Sequence, residues 1–219
     1  MTILAVTGLA KEAEIVGVAD VVAVAGGGDA ALADKLNALH GDIRGVISIG
    51  LAGALSPHLK VGDVVIADRV LTGAETWDCH EGWRVRLMSR LPQAHQGQIF
   101  GSDVIIEQPE TKSGLHDATG ALAVDMESQV AARFASARDL PFAVLRVISD
   151  DASHVLPPAA LVAMKPDGGI ALGRVLGSIL KRPGQVPALV RTARSSNRAF
   201  AELLRCRDLL GVGLAGTDL

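Results

Sequence analysis

The stretch Ala123–Asp151, AVDMESQVAARFASARDLPFAVLRVISDD, constrains the fold more than any other part of the chain. Its Ala-rich portion, Met126 to Arg138, has helical character and carries the chain about 18 Å at ~1.5 Å per residue. Pro141 starts an apolar strand, Phe142 to Asp150, which returns about 26 Å at ~3.3 Å per residue. A helix and a strand packed in this way run antiparallel. Glu127, at the start of the helix, and Asp150, at the C-terminal end of the strand, should therefore meet near one edge of a sheet. In open α/β sheets that edge is where ligands bind.

Similar alternation runs through the rest of the chain. Thr2–Thr7, Val21–Ala25, Gly45–Ile49 and Val64–Ala67 are short apolar runs that read as strands. The Gly45–Ile49 run has no polar alternation beyond Ser48, as expected of a central strand buried on both faces. Helices are expected from Leu9 to Glu14 and from Ala30 to Leu39, the second with Asp29 as its N-cap after the turn Gly26-Gly27-Gly28. Arg69–Leu91 reads as a polar loop with a short strand around Trp83–Leu87. Gln98–Ile106 reads as a strand with Ser102-Asp103 inside it. Lys112–Thr119 is a helix or loop, and Ile170–Leu180 and Pro187–Leu210 are helices. Strands alternating with helices predict an α/β domain with helices on both faces of one sheet. Residues 1–182 would form its catalytic part, and 183–219 a C-terminal helical appendage of the same domain.

Composition excludes several classes of function. The chain has 219 residues and a mean hydropathy of +0.33, ample for a buried core. No apolar run approaches the ~18 residues of a membrane span, and MTILAVTG lacks the basic leader of a signal peptide. Two cysteines, Cys79 and Cys206, make no disulfide framework, so the expected compartment is the cytoplasm. A net charge of −3 and the absence of tyrosine give no case for nucleic-acid binding. Residues 181–219, however, hold seven basic against three acidic residues. In the last helix Leu189, Ala193, Phe200 and Leu204 can form an apolar stripe, with Arg191, Arg194, Arg198 and Arg205 on another face. Either the stripe covers the core and the arginines are solvated, or the helix makes a peripheral contact with anionic lipid.

Three acids, Glu12, Glu127 and Asp150, fall at strand ends or helix starts on the expected ligand edge. Separated carboxylates in a cleft suit reactions that pass through a cationic sugar, such as glycosidic cleavage. The plainer reading makes Glu127 and Asp150 helix caps or solvated turn acids. Asp78-Cys79-His80-Glu81 has no structural zinc spacing and reads as a polar loop. His154 either lines the pocket or lies in a surface loop. Gly211-Val212-Gly213 lacks the context of a dinucleotide site.

Four segments narrow these alternatives: Val124-Asp125-Met126-Glu127-Ser128, Arg146-Val147-Ile148-Ser149-Asp150, Gly50-Leu51-Ala52-Gly53 and Leu59-Lys60-Val61-Gly62-Asp63. In this order they resemble the purine nucleoside phosphorylase and methylthioadenosine/S-adenosylhomocysteine nucleosidase superfamily, over most of residues 1–155. The short chain and divergent tail look most like its hopanoid-associated branch, thought to act on adenosylhopane. The resemblance implies a three-layer α/β/α fold with a mixed central sheet, and cleavage of the N-glycosidic bond of an adenine nucleoside. It implies that Asp150, held partly protonated by burial, protonates purine N7. Glu127 would accept hydrogen bonds from the ribose hydroxyls and Met126 would pack on the sugar. Ile105 and Ile106 would contact the base, with Ala52 and Gly53 in the substrate wall.

The acid that activates water in the nucleosidases aligns, without a gap, with Ala13. Glu12 is the preferred substitute and Glu14 the alternative. Leu51 stands where a serine often helps bind phosphate, and no arginine precedes that turn, which favours water over phosphate as the attacking group. Phosphate stays open as a co-substrate, with no cofactor or metal implied. Lys11 reads as a solvated helix lysine. A phosphate-dependent phosphorylase and a non-catalytic nucleoside-binding protein are the competing functions, and a homodimer or larger assembly is expected.

Overall fold

The computed structural model describes residues 2–26, 29–155, 157–161, 169, 171–216 and 219. Its elements in chain order are β1 (Thr2–Thr7), α1 (Ala10–Val16), β2 (Val21–Ala25), α2 (Asp29–Asn37), β3 (Ile43–Ala54), β4 (Val64–Leu71), β5 (Thr76–Asp78), α3 (Glu81–Arg90), β6 (His95–Gly101), α4 (Pro109–Thr119), β7 (Ala123–Asp125), α5 (Ser128–Ser136), β8 (Phe142–Asp150), α6 (Pro158–Leu161), α7 (Leu172–Lys181) and α8 (Val186–Leu210). Gly27, Gly28, Ile170 and the side chain of Asp29 lie outside the described residues, and with them most of the glycine turn.

The strands form one mixed sheet in the order β2-β1-β3-β7-β6-β4-β5, with β8 pairing both β3 and β4. Pairing is parallel for β1 with β2 and β3, β3 with β8, and β6 with β4 and β7. It is antiparallel for β3 with β7 and for β4 with β5 and β8. The pairs β3–β8–β4–β6–β7–β3 close on themselves, so half of the sheet curls into a ring while β1 and β2 extend it as an open wing.

Helices cover both faces, giving the three-layer arrangement expected. One core packs Leu32 and Leu36 of α2 and Val130 and Phe134 of α5 against Val46, Val144 and Ile148. The other packs Val16 of α1, Trp83 and Leu87 of α3, and Leu203 and Cys206 of α8 against Ile47, Ile49, Leu145 and Val147. Successive residues of β3 and β8 thus alternate between two apolar layers, which explains their continuous apolar sequence.

Some expected elements differ. The supposed strand around Trp83–Leu87 is helix α3: Trp83 and Leu87, one helical turn apart, are both fully buried. The His80 ring accepts the Trp83 N–H at 3.2 Å and caps the helix, while the indole N–H donates to Leu214 O at 3.0 Å. The strand expected to reach Ile106 stops at Gly101, because Ser102 Oγ bonds to both the carbonyl and the N–H of Val104 and turns the chain. Helix α5 starts at Ser128 rather than Met126. In α8 the stripe facing the core is Ala199, Leu203, Cys206 and Leu210, whereas Leu204 of the expected stripe is exposed.

Candidate active site

The register of β3 and β8 slips at the site: Ala52 pairs with Ile148, but the next pair is Gly53 with Asp150. Ser149 is the extra residue, and its Oγ lies 3.2 Å from Ala52 O. Such a bulge re-aims the side chain that follows it. Asp150 is turned against Gly53, into a cleft at the C-terminal edge of the ring. Gly8, Leu9, Glu12, Leu51, Ala52, Gly53, Met126, Glu127 and Asp150 line that cleft with Val104, Ile105, Ile106 and, from α8, Thr192 and Ser196. The structure therefore brings Glu12, Glu127, Asp150, Met126, Ile105, Ile106, Ala52 and Gly53 into one concavity. Ile105 and Ile106 reach it from the loop after β6 rather than from a strand.

Glu12 sits in the first turn of α1 and is almost fully buried. Its Oε2 accepts the N–H groups of Gly8 and Leu9 at 2.8 and 2.7 Å, and its Oε1 accepts that of Leu51 at 2.8 Å. Burial pushes its carboxyl up, against the pull of Arg146 and these three N–H groups. Glu14 is exposed and plays no part in the cleft. Lys11 lies 4.1 Å from the centroid of the Phe200 ring, a cation–π contact that ties α1 to α8.

Three glycines lie close against these acids. A methyl at Gly8 would come within 2.6 Å of Glu127 Oε1, one at Gly50 within 2.8 Å of Glu12 Oε1, and one at Gly53 within 3.1 Å of Asp150 Oδ2.

Arg146, absent from the expected site residues, organises the acidic side. It lies in mid-β8, is wholly buried, and ion-pairs with Asp125 at 2.6 Å and with Glu127 at 3.6 Å. Its Nη2 donates to Ser48 Oγ at 2.6 Å and its Nη1 to Leu51 O at 3.3 Å. Asp125 in turn accepts the N–H groups of Glu127 and Ser128, at 3.1 and 2.9 Å, and so caps α5. Glu127 makes no side-chain cap of its own. Its carboxyl is pushed up to about 8, chiefly by burial, with Arg146 opposing and Asp125 and Glu12 adding to the rise. The signal available in the sequence was a lone arginine inside an apolar strand, a residue type that is buried only when paired.

Asp150 departs from expectation. It is buried, but not as a lone carboxyl in an apolar pocket. Lys112 of α4, with no solvent exposure, places Nζ 2.5 Å from Asp150 Oδ2 and 3.2 Å from Asp151 O. Ser149 Oγ donates to Oδ1 at 2.9 Å. The carboxyl thus has charged and polar partners where apolar surroundings were expected.

Other candidates fall outside the cleft. His154 lies beside it, with Nε2 3.2 Å from Thr192 Oγ1, and its ring is held below the usual range by burial and by Arg191. Asp78 pairs with Arg69 and His80 caps α3. Burial pushes the Cys79 thiol up to about 12, leaving it a poor thiolate. No three His, Cys, Asp or Glu side chains group as metal ligands among the described residues.

A mixed sheet half closed into a ring, with helices on both faces and buried acids at its C-terminal edge, is the nucleoside phosphorylase type of fold. The chain belongs to the phosphorylase superfamily, whose family model matches residues 4–180. It is accordingly an enzyme of the nucleosidase or nucleoside phosphorylase kind. The 5′-methylthioadenosine/S-adenosylhomocysteine nucleosidases of Mycobacterium bovis and Mycobacterium tuberculosis are each 25% identical to it, over 65% of this chain and 68% of theirs. The S-adenosylhomocysteine nucleosidase of Streptococcus pyogenes, crystallised with 5-methylthiotubericidin, superposes with a TM-score of 0.64 at 18% identity, covering 92% of this chain and 96% of its own. A futalosine hydrolase mutant from Helicobacter pylori superposes with a TM-score of 0.59 at 16% identity, over 68% of this chain and 89% of its own.

Proposed function

We propose that this enzyme hydrolyses the N-glycosidic bond of an adenine nucleoside. The observation that carries the proposal is the convergence of Glu12, Glu127 and Asp150 on one cleft. Asp150 passes a proton to N7 of the purine. The C1′–N9 bond breaks with its electron pair moving into the base, which leaves as neutral adenine. Glu127 accepts hydrogen bonds from the ribose hydroxyls, and these strengthen as the sugar ring becomes positive. Water adds to C1′ and gives its proton to Glu12, whose affinity for a proton is raised by burial. Met126, Ile105 and Ile106 supply apolar walls for sugar and base.

Two observations favour water over phosphate. The N–H of Leu51, on the glycine turn, is already taken by Glu12. The Arg146 guanidinium is already engaged by Asp125 and Glu127. The test is release of free adenine from adenosine, methylthioadenosine and S-adenosylhomocysteine, with and without phosphate. Release without phosphate is expected. Strict phosphate dependence would make the enzyme a phosphorylase, and retained binding without release from any nucleoside would make it a nucleoside-binding protein.

For the substrate's 5′ substituent we propose a lipid, as in adenosylhopane and hopanoid biosynthesis. In support, Val104 at the cleft is 64% exposed, and Leu176 and Leu180, one turn apart on α7, are 61% and 84% exposed. Val186 and Val190 at the start of α8 are exposed near the basic residues Arg191, Arg194 and Arg198. On this proposal the enzyme is a cytoplasmic homodimer or larger assembly without a cofactor, in peripheral contact with anionic membrane through α8. Deleting residues 183–219 would remove core side chains, so the test is charge reversal of Arg191 and Arg194. The wild type should sediment with vesicles rich in anionic phospholipid and the variant should not. Equal partitioning would refute the membrane contact.

A further inference from the structure

Lys112 is one of the largest fully buried side chains of the protein. It does not line the cleft. Its ammonium contacts Asp150, which does line the cleft. A buried lysine is costly unless its charge is matched, and here the match is a carboxylate that the proposed reaction needs as an acid. Nζ donates to Oδ2 at 2.5 Å, so a proton on the lysine already points at the carboxylate. The lysine is fixed at both ends: its backbone N–H donates to Gln108 O at 3.0 Å in the first turn of α4, and its Nζ also donates to Asp151 O at 3.2 Å. Oδ1 is held by Ser149 Oγ at 2.9 Å, so the carboxyl group has a fixed orientation.

We propose that Lys112, acting through Asp150, stores the proton that reaches purine N7, an inference that rests on the hydrolytic reading above. As the C1′–N9 bond stretches, N7 becomes more basic. Asp150 delivers a proton to N7 and takes one from Lys112. Nζ is left as a neutral amine, a form lysine adopts readily when desolvated. Asp150 remains a carboxylate and holds the new N7–H. Neutral adenine departs, the attacking water leaves its proton on Glu12, solvent entering the emptied cleft returns a proton to Lys112 by way of Asp150, and Glu12 releases its own. Lys112 is thus a positioning residue that also reloads the acid, without touching substrate.

The test compares two nucleosides in the full-length enzyme. Adenosine needs a proton at N7 to leave as a neutral base. 7-Methyladenosine carries a fixed positive charge there and needs none. Lys112→Met removes both charge and proton. Lys112→Arg keeps the charge beside Asp150, but its guanidinium does not give up a proton. Both variants are expected to lose about 100-fold or more in kcat on adenosine, the scale of a general-acid contribution, with KM little changed. Both should keep most of their rate on 7-methyladenosine, which also reports that the site is folded. Equal losses on the two compounds in Lys112→Met would reduce the lysine to a structural support and overturn the inference. So would a Lys112→Arg enzyme that turns over adenosine at the wild-type rate, since clamping the carboxylate would then suffice. No base released from either compound by the wild type would overturn the hydrolytic reading itself, and the inference with it.

Discussion

Glu127→Gln should stabilise the protein at alkaline pH while impairing it as an enzyme. Glu127 shares its pocket with Asp125 and Glu12, and Arg146 is the cation that faces all three. Its carboxyl is pushed up to about 8 from an ordinary value of 4.5, mainly by burial. Between those values the folded protein holds a proton that the unfolded chain has released. Stability is therefore fully present below the unfolded value, falls as pH rises, and levels off above the folded value. At about 1.4 kcal/mol per unit the gap corresponds to no more than about 5 kcal/mol, since the buried cluster can relax. Glutamine has the shape of the protonated acid and no proton to lose. Urea unfolding should give nearly equal stabilities at about pH 5 and a more stable variant, by a few kcal/mol, at about pH 9. At alkaline pH, where the wild-type group is a carboxylate, the same variant should lose kcat/KM, because a neutral amide is a weaker acceptor for hydroxyls of a sugar gaining charge. Parallel stability curves across this range, or a less stable variant at high pH, would refute the assignment of an electrostatically strained site.

Other perturbations follow from the same geometry. Gly50→Ala puts a methyl 2.8 Å from Glu12 Oε1 and 2.9 Å from Arg146 Nη1. Three backbone N–H groups prevent Glu12 from swinging away, so kcat should fall about 100-fold, the scale of an ångström-sized misplacement, as steady-state adenine release would show. Asp125→Ala leaves the buried Arg146 without its nearest partner and α5 without its cap. It should cost about 3–5 kcal/mol, measured by denaturant unfolding. Glu12→Gln should abolish most hydrolysis while Glu14→Gln, on the exposed face of α1, leaves it intact. The reverse pattern would move water activation to the other acid.

What could be read in advance follows from what is local. The apolar runs of β1, β3 and β8 are continuous because these strands are covered on both faces, and the lengths of α5 and β8 alone bring Glu127 and Asp150 to one edge. Helix α3 differs from the short strand expected there because Trp83 and Leu87 lie four apart, which is the helical spacing. In α8 Arg191, Arg194, Arg198 and Arg205 are exposed, as their spacing implies, but the core stripe falls on Ala199, Leu203, Cys206 and Leu210, since packing against the sheet selects the face. Arg146 was in plain view within an apolar run, yet its partners at 12, 125 and 127 come from other elements. Lys112 gave no local signal at all. Its partner is 38 residues away, and only the fold shows that a polar residue of α4 points inward against the acid.

The division of labour between the two acids of Ala123–Asp151 is tested most directly by Asp150→Asn, with turnover and binding measured on the same nucleoside. Asparagine keeps the shape and the packing against Gly53 but cannot pass a proton to N7. Adenine release should fall by about 100-fold or more, while the dissociation constant, measured by calorimetry, changes little. Turnover at the wild-type rate in that variant would contradict the account.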